Sequence, residues 1–247
     1  MRAIVLAAGK GTRLHAEGSD VPKVMREACG KPLLWYVLEA LSFIDKKDIT
    51  IVAGYKKEDL MAGFKGYSFA VQTEQLGTGH AVMAAQAVLE GFDGAALICY
   101  GDMPVVRRDT YEALVRLHFG QDNDCTILTG DYPDRESIAG LPYGRIIRDR
   151  DGGFLHIVED RDCSPAQRSI TELNSGVYAF RAKLLTEALK GLRNDNSQGE
   201  YYLTDAPAII RAGGGRVGLL KRDLGDEIIG VNTAGQLAQV EGILRLR

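Results

Sequence analysis

At 247 residues, with 45% hydrophobic and 26% charged residues, the chain has the length and balance of a globular protein with a sizeable core. Its net charge of −3 supplies no general basic field, which argues against a nucleic-acid partner. No apolar run approaches the roughly 18–20 residues of a membrane span, no signal-peptide pattern opens the sequence, and Cys29, Cys99, Cys125 and Cys163 form no Cys-x-x-Cys pair, so a reduced cytoplasmic protein with no membrane partner is expected.

Ala3-Ile4-Val5-Leu6 reads as a buried parallel strand that runs into Ala7-Ala8-Gly9-Lys10-Gly11-Thr12-Arg13. Ala7, Ala8 and Gly9 carry so little side chain that a flat base can lie on the backbone. Gly11 is expected to free backbone N–H groups for phosphate, and Arg13 offers a fork of donors. The stretch is neither a Walker A loop nor the dinucleotide fingerprint, whose third glycine is replaced by Leu14. Residues 15–21 read as a surface loop, after which Lys23, beside Pro22, is a second candidate phosphate ligand. Leu33, Leu34, Val37, Leu38 and Leu41 then mark the core face of a helix.

Strands are expected at 49–55 and 69–71, with a short helix over 58–64 between them. This alternation predicts a parallel sheet with right-handed crossovers. Gln72 closes the third strand with an amide able both to donate to and to accept from a pyrimidine edge. Gly77 and Thr78 precede an expected helix over 81–89, where backbone N–H groups and a hydroxyl meet the positive end of the helix dipole. His80, in the same stretch, reads as structural. The apolar run 95–100 predicts a central strand ending at Tyr100, with Gly101 and Pro104 bracketing Asp102. A carboxylate at that strand end suits a hard cation such as Mg²⁺, which takes one or two protein oxygens and shares substrate phosphates. An amphipathic helix is expected over 108–119.

Beyond residue 120, strands are expected at 125–129, 173–180 and 217–220, with a hairpin of 143–147 and 154–159 around Asp151-Gly152-Gly153. Glu159, at the hairpin's end, is a candidate acceptor for sugar hydroxyls. Helices are expected over 182–189, up to 212, and over 236–246. The fold class is α/β: a Rossmann-like, mixed but mainly parallel sheet flanked by helices, with a small β-rich lobe. One domain is expected over 1–247. Its divisions are a nucleotide part to about 120, a sugar part over about 121–230 and a closing helix over 231–247.

Several stretches occur in order: Leu6-Ala7-Ala8-Gly9-x-Gly11-Thr12-Arg13 with Pro22-Lys23, Gln72-x-x-Gln75-Leu76-Gly77-Thr78-Gly79-His80-Ala81, Tyr100-Gly101-Asp102, Tyr143-Gly144-Arg145-Ile146, Ile157-Val158-Glu159, Glu200-Tyr201-Tyr202-Leu203-Thr204-Asp205 and Gly230-Val231-Asn232. The set resembles the sugar-1-phosphate nucleotidyltransferases, in particular the uridylyltransferase domain of the bifunctional bacterial enzymes that make UDP-N-acetylglucosamine. The resemblance implies UTP and N-acetylglucosamine 1-phosphate as substrates and Mg²⁺ as cofactor. By it, Leu6 to Gly9 and Gln72 hold uracil, Gly77 and Thr78 lie beside the nucleoside, and Arg13 and Lys23 bind phosphates. Asp102 and Asn232 ligate the metal, while Tyr100, Gly101, Gly144, Glu159, Asn174, Tyr202 and Thr204 bind substrate, most of them around the sugar.

Departures from the family pattern are a longer loop between Arg13 and Lys23, Ser175 in place of the commoner threonine, and Arg161 in place of lysine. The family's left-handed β-helix acetyltransferase half does not occur in the sequence, which leaves a stand-alone enzyme, an excised domain and the oligomeric state as open alternatives. Rival readings are a sister enzyme for another sugar phosphate or dTTP, and a UDP-sugar sensor without turnover.

Overall fold

The structure is a computed structural model and describes residues 1–11, 21–132 and 142–247. Thr12, Arg13 and all but the last residue of the expected loop at 15–21 lie outside the described residues.

Strand β1 (Arg2–Leu6) lies between β4 (Ile49–Ala53) and β6 (Ala95–Tyr100), parallel to both, and β5 (Ser68–Val71) extends the parallel block beyond β4. The chain thus leaves β1 toward β4 and β5 and later returns to the other side of β1 with β6. That reversal is the topological switch at which open α/β sheets bind ligands. On the far side of β6 the long strand β10 (Glu172–Arg181) runs antiparallel and separates it from β7 (Cys125–Asp131). The edge strand β11 (Val217–Arg222) is parallel to β7. A hairpin of β8 (Arg145–Arg148) and β9 (Phe154–Val158) hangs from β10 through Leu173 and Arg145. The sheet is therefore mixed, with a parallel centre, as the sequence predicts.

Helices cover both faces. Ala3 and Val5 of β1 point into a core with Leu34 and Leu38 of α1 (Leu33–Ala40), Leu60 of α2 (Lys57–Gly63) and Leu114 of α4 (Arg108–Gly120). The alternate residues Ile4 and Leu6 face Val82 of α3 (Thr78–Ala84), Leu185 and Leu189 of α6 (Ala182–Gly191) and Ile210 of α7 (Ala206–Ala212). The apolar run of β1 is explained by this burial from both sides. Cys99 belongs to the same core, where burial pushes its thiol up to about 12.

One expectation is corrected in detail and one element is new. The helix expected over 81–89 begins at Thr78 and ends at Ala84, and a separate 3-10 turn covers Gln86–Leu89. An added hairpin, β2 (Glu27–Ala28) with β3 (Lys31–Pro32), turns through Cys29 and Gly30, both at positive φ (51° and 76°) as a tight two-residue turn requires. Strands of two residues show no periodicity to read. This hairpin supports α8 (Ala234–Arg245), whose Val240 packs with Ala28, Leu33, Val105 and Val231.

Candidate active site

The carboxyl ends of β1, β5 and β6 open onto a cavity of about 260 Å³ lined by Leu6, Ala7, Ala8, Gly9, Gln72 and Thr78, among others. A second cavity, of about 190 Å³, is lined by Gly144, Glu159, Asn174, Asn232 and residues of the 175–176 bulge. Tyr100 and Asp102 line both, so the end of β6 is the partition between them.

Three backbone hydrogen bonds build the first cavity's floor. Ala7 N–H donates to Val52 at 3.0 Å, Gly101 N–H to Leu6 at 2.9 Å and Tyr55 N–H to Ala8 at 3.4 Å. They carry the ends of β1, β4 and β6 past the sheet in register. Gly101 serves as this lock and is not among the lining residues. Gly11 is placed against Lys23 instead of merely freeing N–H groups: a Cβ there would stand 2.7 Å from Lys23 Cβ.

The Lys23 stem thus passes over the opening loop, and its ammonium donates to Asp102 Oδ2 and, at 3.0 Å, to Asn232 Oδ1. Asp102 and Asn232 are brought together by the backbone, because Val231 N–H donates to Asp102 carbonyl oxygen at 2.9 Å. Gln236 accepts the Asn232 N–H at 2.8 Å and, with Thr233, forms the capping box of α8, which fixes where Asn232 sits. Asp102 is not needed as a cap for α4. That helix start is satisfied by buried Glu227, which accepts from Arg107 N–H at 2.9 Å and from the Thr110 hydroxyl at 2.7 Å. Two hard oxygens therefore converge on one positive charge. This is a donor set that fits Mg²⁺, which binds through one or two protein oxygens. Among the described residues no cluster of three or more His, Cys, Asp or Glu offers an alternative metal cage.

Gln72 is only partly as expected. Its Nε2 donates to Gly77 carbonyl oxygen at 3.1 Å and lies 3.1 Å from His80 Nδ1, so its two N–H groups are engaged and Oε1 alone is left for a ligand. Thr78 also has a structural partner, since its hydroxyl accepts the Leu203 N–H at 3.0 Å. Two further polar lining residues, Gln75 and Glu200, were given no role by the sequence, although both stand in its motifs. Gln75 Nε2 donates to Ala8 carbonyl oxygen at 2.8 Å and pins the opening loop.

In the second cavity Asn174 donates from Nδ2 to Tyr178 Oη at 2.7 Å and accepts the Gly176 N–H at 3.2 Å, holding the bulge in β10. Burial, reinforced by nearby Asp205, Asp162 and Asp160, holds the Glu159 carboxyl above its ordinary range, against the opposing hydrogen bond from Thr204 at 2.8 Å. Thr204 thus acts on the cavity through Glu159. Tyr202 is not brought to either cavity: its hydroxyl accepts from Gln198 at 2.8 Å and donates to Asp162 at 3.3 Å.

A cavity floored by small residues at the switch point, a second cavity beyond the same strand end, and a carboxylate–amide pair at their partition form a two-compartment ligand site of the kind an α/β nucleotidyltransferase needs. The solved UDP-glucose pyrophosphorylase complexed with UDP-glucose shares this fold, with a TM-score of 0.74 at 17% identity over 99% of this chain and 98% of that one. The MobA-like NTP transferase domain matches residues 3–202, and the chain belongs to that family. It is 43% identical, over 99% of its length, to the bifunctional protein GlmU of Clostridium novyi (strain NT), and 42% identical, over 100% of its length, to that of Pelotomaculum thermopropionicum. The matches cover 52% of each relative, so the chain spans about half the length of these curated proteins.

Proposed function

We propose that the chain is a uridylyltransferase that joins UTP to N-acetylglucosamine 1-phosphate, giving UDP-N-acetylglucosamine and pyrophosphate. The observation that carries this reading is the pair of cavities meeting at Tyr100 and Asp102; the resemblance of the sequence motifs suggests the base and sugar, and the likeness to the GlmU relatives along this chain supports it. The uracil base would lie over Ala7, Ala8 and Gly9 against Gln72, and the sugar beside Gly144, Glu159 and Asn174. The division of labour then follows the chain: residues to about 120 serve the nucleotide, those over about 121–230 the sugar, and the closing segment contributes Asn232. The exposed Cys29 thiol suits a reducing cytoplasm.

The sugar phosphate is already an anion at neutral pH, so its oxygen attacks the α-phosphorus of UTP without a general base. A new P–O bond forms in line as the bond to the β-phosphate oxygen breaks, and pyrophosphate leaves with that electron pair. Asp102 and Asn232 would hold Mg²⁺, which when bound supplies charge neutralisation between the two phosphates. The work left to the protein is positioning two anions that repel one another. Lys23 would turn its ammonium from Asp102 to a phosphate oxygen, and Arg13 would meet the leaving pyrophosphate.

The test is pyrophosphate release from UTP with N-acetylglucosamine 1-phosphate, run beside glucose 1-phosphate, N-acetylgalactosamine 1-phosphate and dTTP, with and without Mg²⁺. Fast Mg²⁺-dependent release with the first pair supports the reading. Activity with another pair alone moves the sugar or base, and UDP-sugar binding without release makes the chain a sensor.

A further inference from the structure

The amide of Gln72 has no freedom to choose which end it shows a base. Gly77 carbonyl oxygen, 3.1 Å away, can only accept, so the end of Gln72 facing it must be the NH₂ group. The same NH₂ group meets His80 Nδ1 at 3.1 Å, and that nitrogen must then accept, which places the imidazole proton on Nε2. Among the described residues Oε1 has no hydrogen-bond partner, and Gln72 lines the first cavity while being only 5% exposed. His80 sits in α3, its ring centroid 6.5 Å from that of Tyr201.

We infer that His80 is a positioning residue for base selection: by accepting from Gln72 it holds Oε1 toward the nucleotide cavity as a fixed hydrogen-bond acceptor. Such an acceptor takes a pyrimidine whose N3 carries a proton, as in uracil or thymine. It opposes cytosine, whose N3 presents a lone pair. With His80 unable to accept, the second N–H of Gln72 loses its partner and the Gly77 carbonyl alone holds the NH₂ end, so rotating the amide costs one hydrogen bond fewer. Gln72 then accepts from one base or donates to the other. Discrimination between UTP and CTP is weakened while the cavity itself remains. The inference rests on the reading of a uridine nucleotide in the first cavity. It leaves UTP and dTTP undistinguished at this contact, because both carry the N3 proton.

His80→Phe keeps a flat ring against Tyr201 and removes the acceptor, with His80→Leu as the smaller substitute should the phenyl ring not fit. His80→Asn restores an acceptor near the position of Nδ1. For each protein kcat/KM is measured with UTP and with CTP, using N-acetylglucosamine 1-phosphate and Mg²⁺, and UDP and CDP binding is measured by calorimetry in any variant without turnover. The non-accepting variants are expected to lower the uridine-to-cytidine preference by roughly tenfold or more, the scale of a mispaired polar contact, with His80→Asn recovering most of it. A purely structural role would lower both nucleotides equally and leave the ratio intact. A wild-type ratio in folded His80→Phe or His80→Leu overturns the inference alone, as does a His80→Asn ratio as low as theirs. A wild-type protein without preference for UTP overturns the uridylyl reading as well.

Discussion

Lys23→Met separates the cation site from the phosphate-binding role assigned to its ammonium. Methionine keeps most of the stem that packs over Gly11 but removes the charge shared by Asp102 and Asn232. Both ion-pair side chains are only 15% exposed, which places the pair between the surface and buried regimes. Exposed pairs contribute up to about 1 kcal/mol and breaking a buried one costs about 3–5 kcal/mol, so an intermediate value of about 2 kcal/mol is appropriate. In the wild type a divalent ion reaching Asp102 must displace the ammonium; in Lys23→Met it need not. Nucleotide-free Lys23→Met is therefore expected to bind Mn²⁺ or Mg²⁺ roughly 10- to 50-fold more tightly than wild type, by calorimetry or, for Mn²⁺, by paramagnetic resonance. Its thermal midpoint without metal should fall and recover on adding Mg²⁺, while turnover drops for want of the phosphate ligand. Unchanged or weaker metal binding by a folded Lys23→Met would refute the shared-site reasoning.

Other perturbations reach the same framework from different sides. Gly176 holds φ at +81°, and a Cβ there would stand 2.4 Å from Tyr100 Cε2. Gly176→Ala should therefore lose about 2–5 kcal/mol in urea unfolding, from left-handed strain and overpacking together, and raise KM for both substrates because Tyr100 lines both cavities. Burial raises the Glu159 carboxyl, so the folded protein keeps a proton there that the unfolded chain has already released. Its contribution is fully present below the ordinary carboxylate range, about 4.3 for glutamate, and is lost as pH rises through the raised folded value. Glu159→Gln should then be more stable than wild type near pH 7, equal to it in acid, and weaker for the sugar phosphate, as unfolding midpoints at several pH values and KM will show. Glu227→Ala, which strands the Arg107 N–H and the Thr110 hydroxyl, should lower unfolding free energy by about 2–4 kcal/mol.

Much of this architecture is legible in the chain because its sheet is buried on both faces. The apolar runs of β1, β4 and β6 have few alternatives, and the glycines and charged residues that follow them sit at strand ends. Asp102 and Gln72 are readable for that reason. What is not readable depends on contacts far apart in sequence. The pairing of Asp102 with Asn232 comes from a backbone bond to Val231, and the role of Gly11 comes from the Lys23 stem crossing it. Local motifs also hide occupied side chains. Thr78 reads as a free hydroxyl until Leu203 is placed against it, and the Gln72 amide reads as two-faced until Gly77 and His80 take its donors. The early end of α3 at Ala84 follows no break in the Ala-rich sequence.

The central claim is that one divalent ion on Asp102 and Asn232 serves a uridine nucleotide in one cavity and a sugar phosphate in the other. The most direct measurement follows UTP and N-acetylglucosamine 1-phosphate by phosphorus magnetic resonance with wild type, Asp102→Asn and Asn232→Ala, at matched Mg²⁺. The account predicts UDP-N-acetylglucosamine and pyrophosphate appearing together with wild type, and a loss of about 10²-fold or more in rate with Asp102→Asn. Undiminished product formation by either folded variant would contradict it.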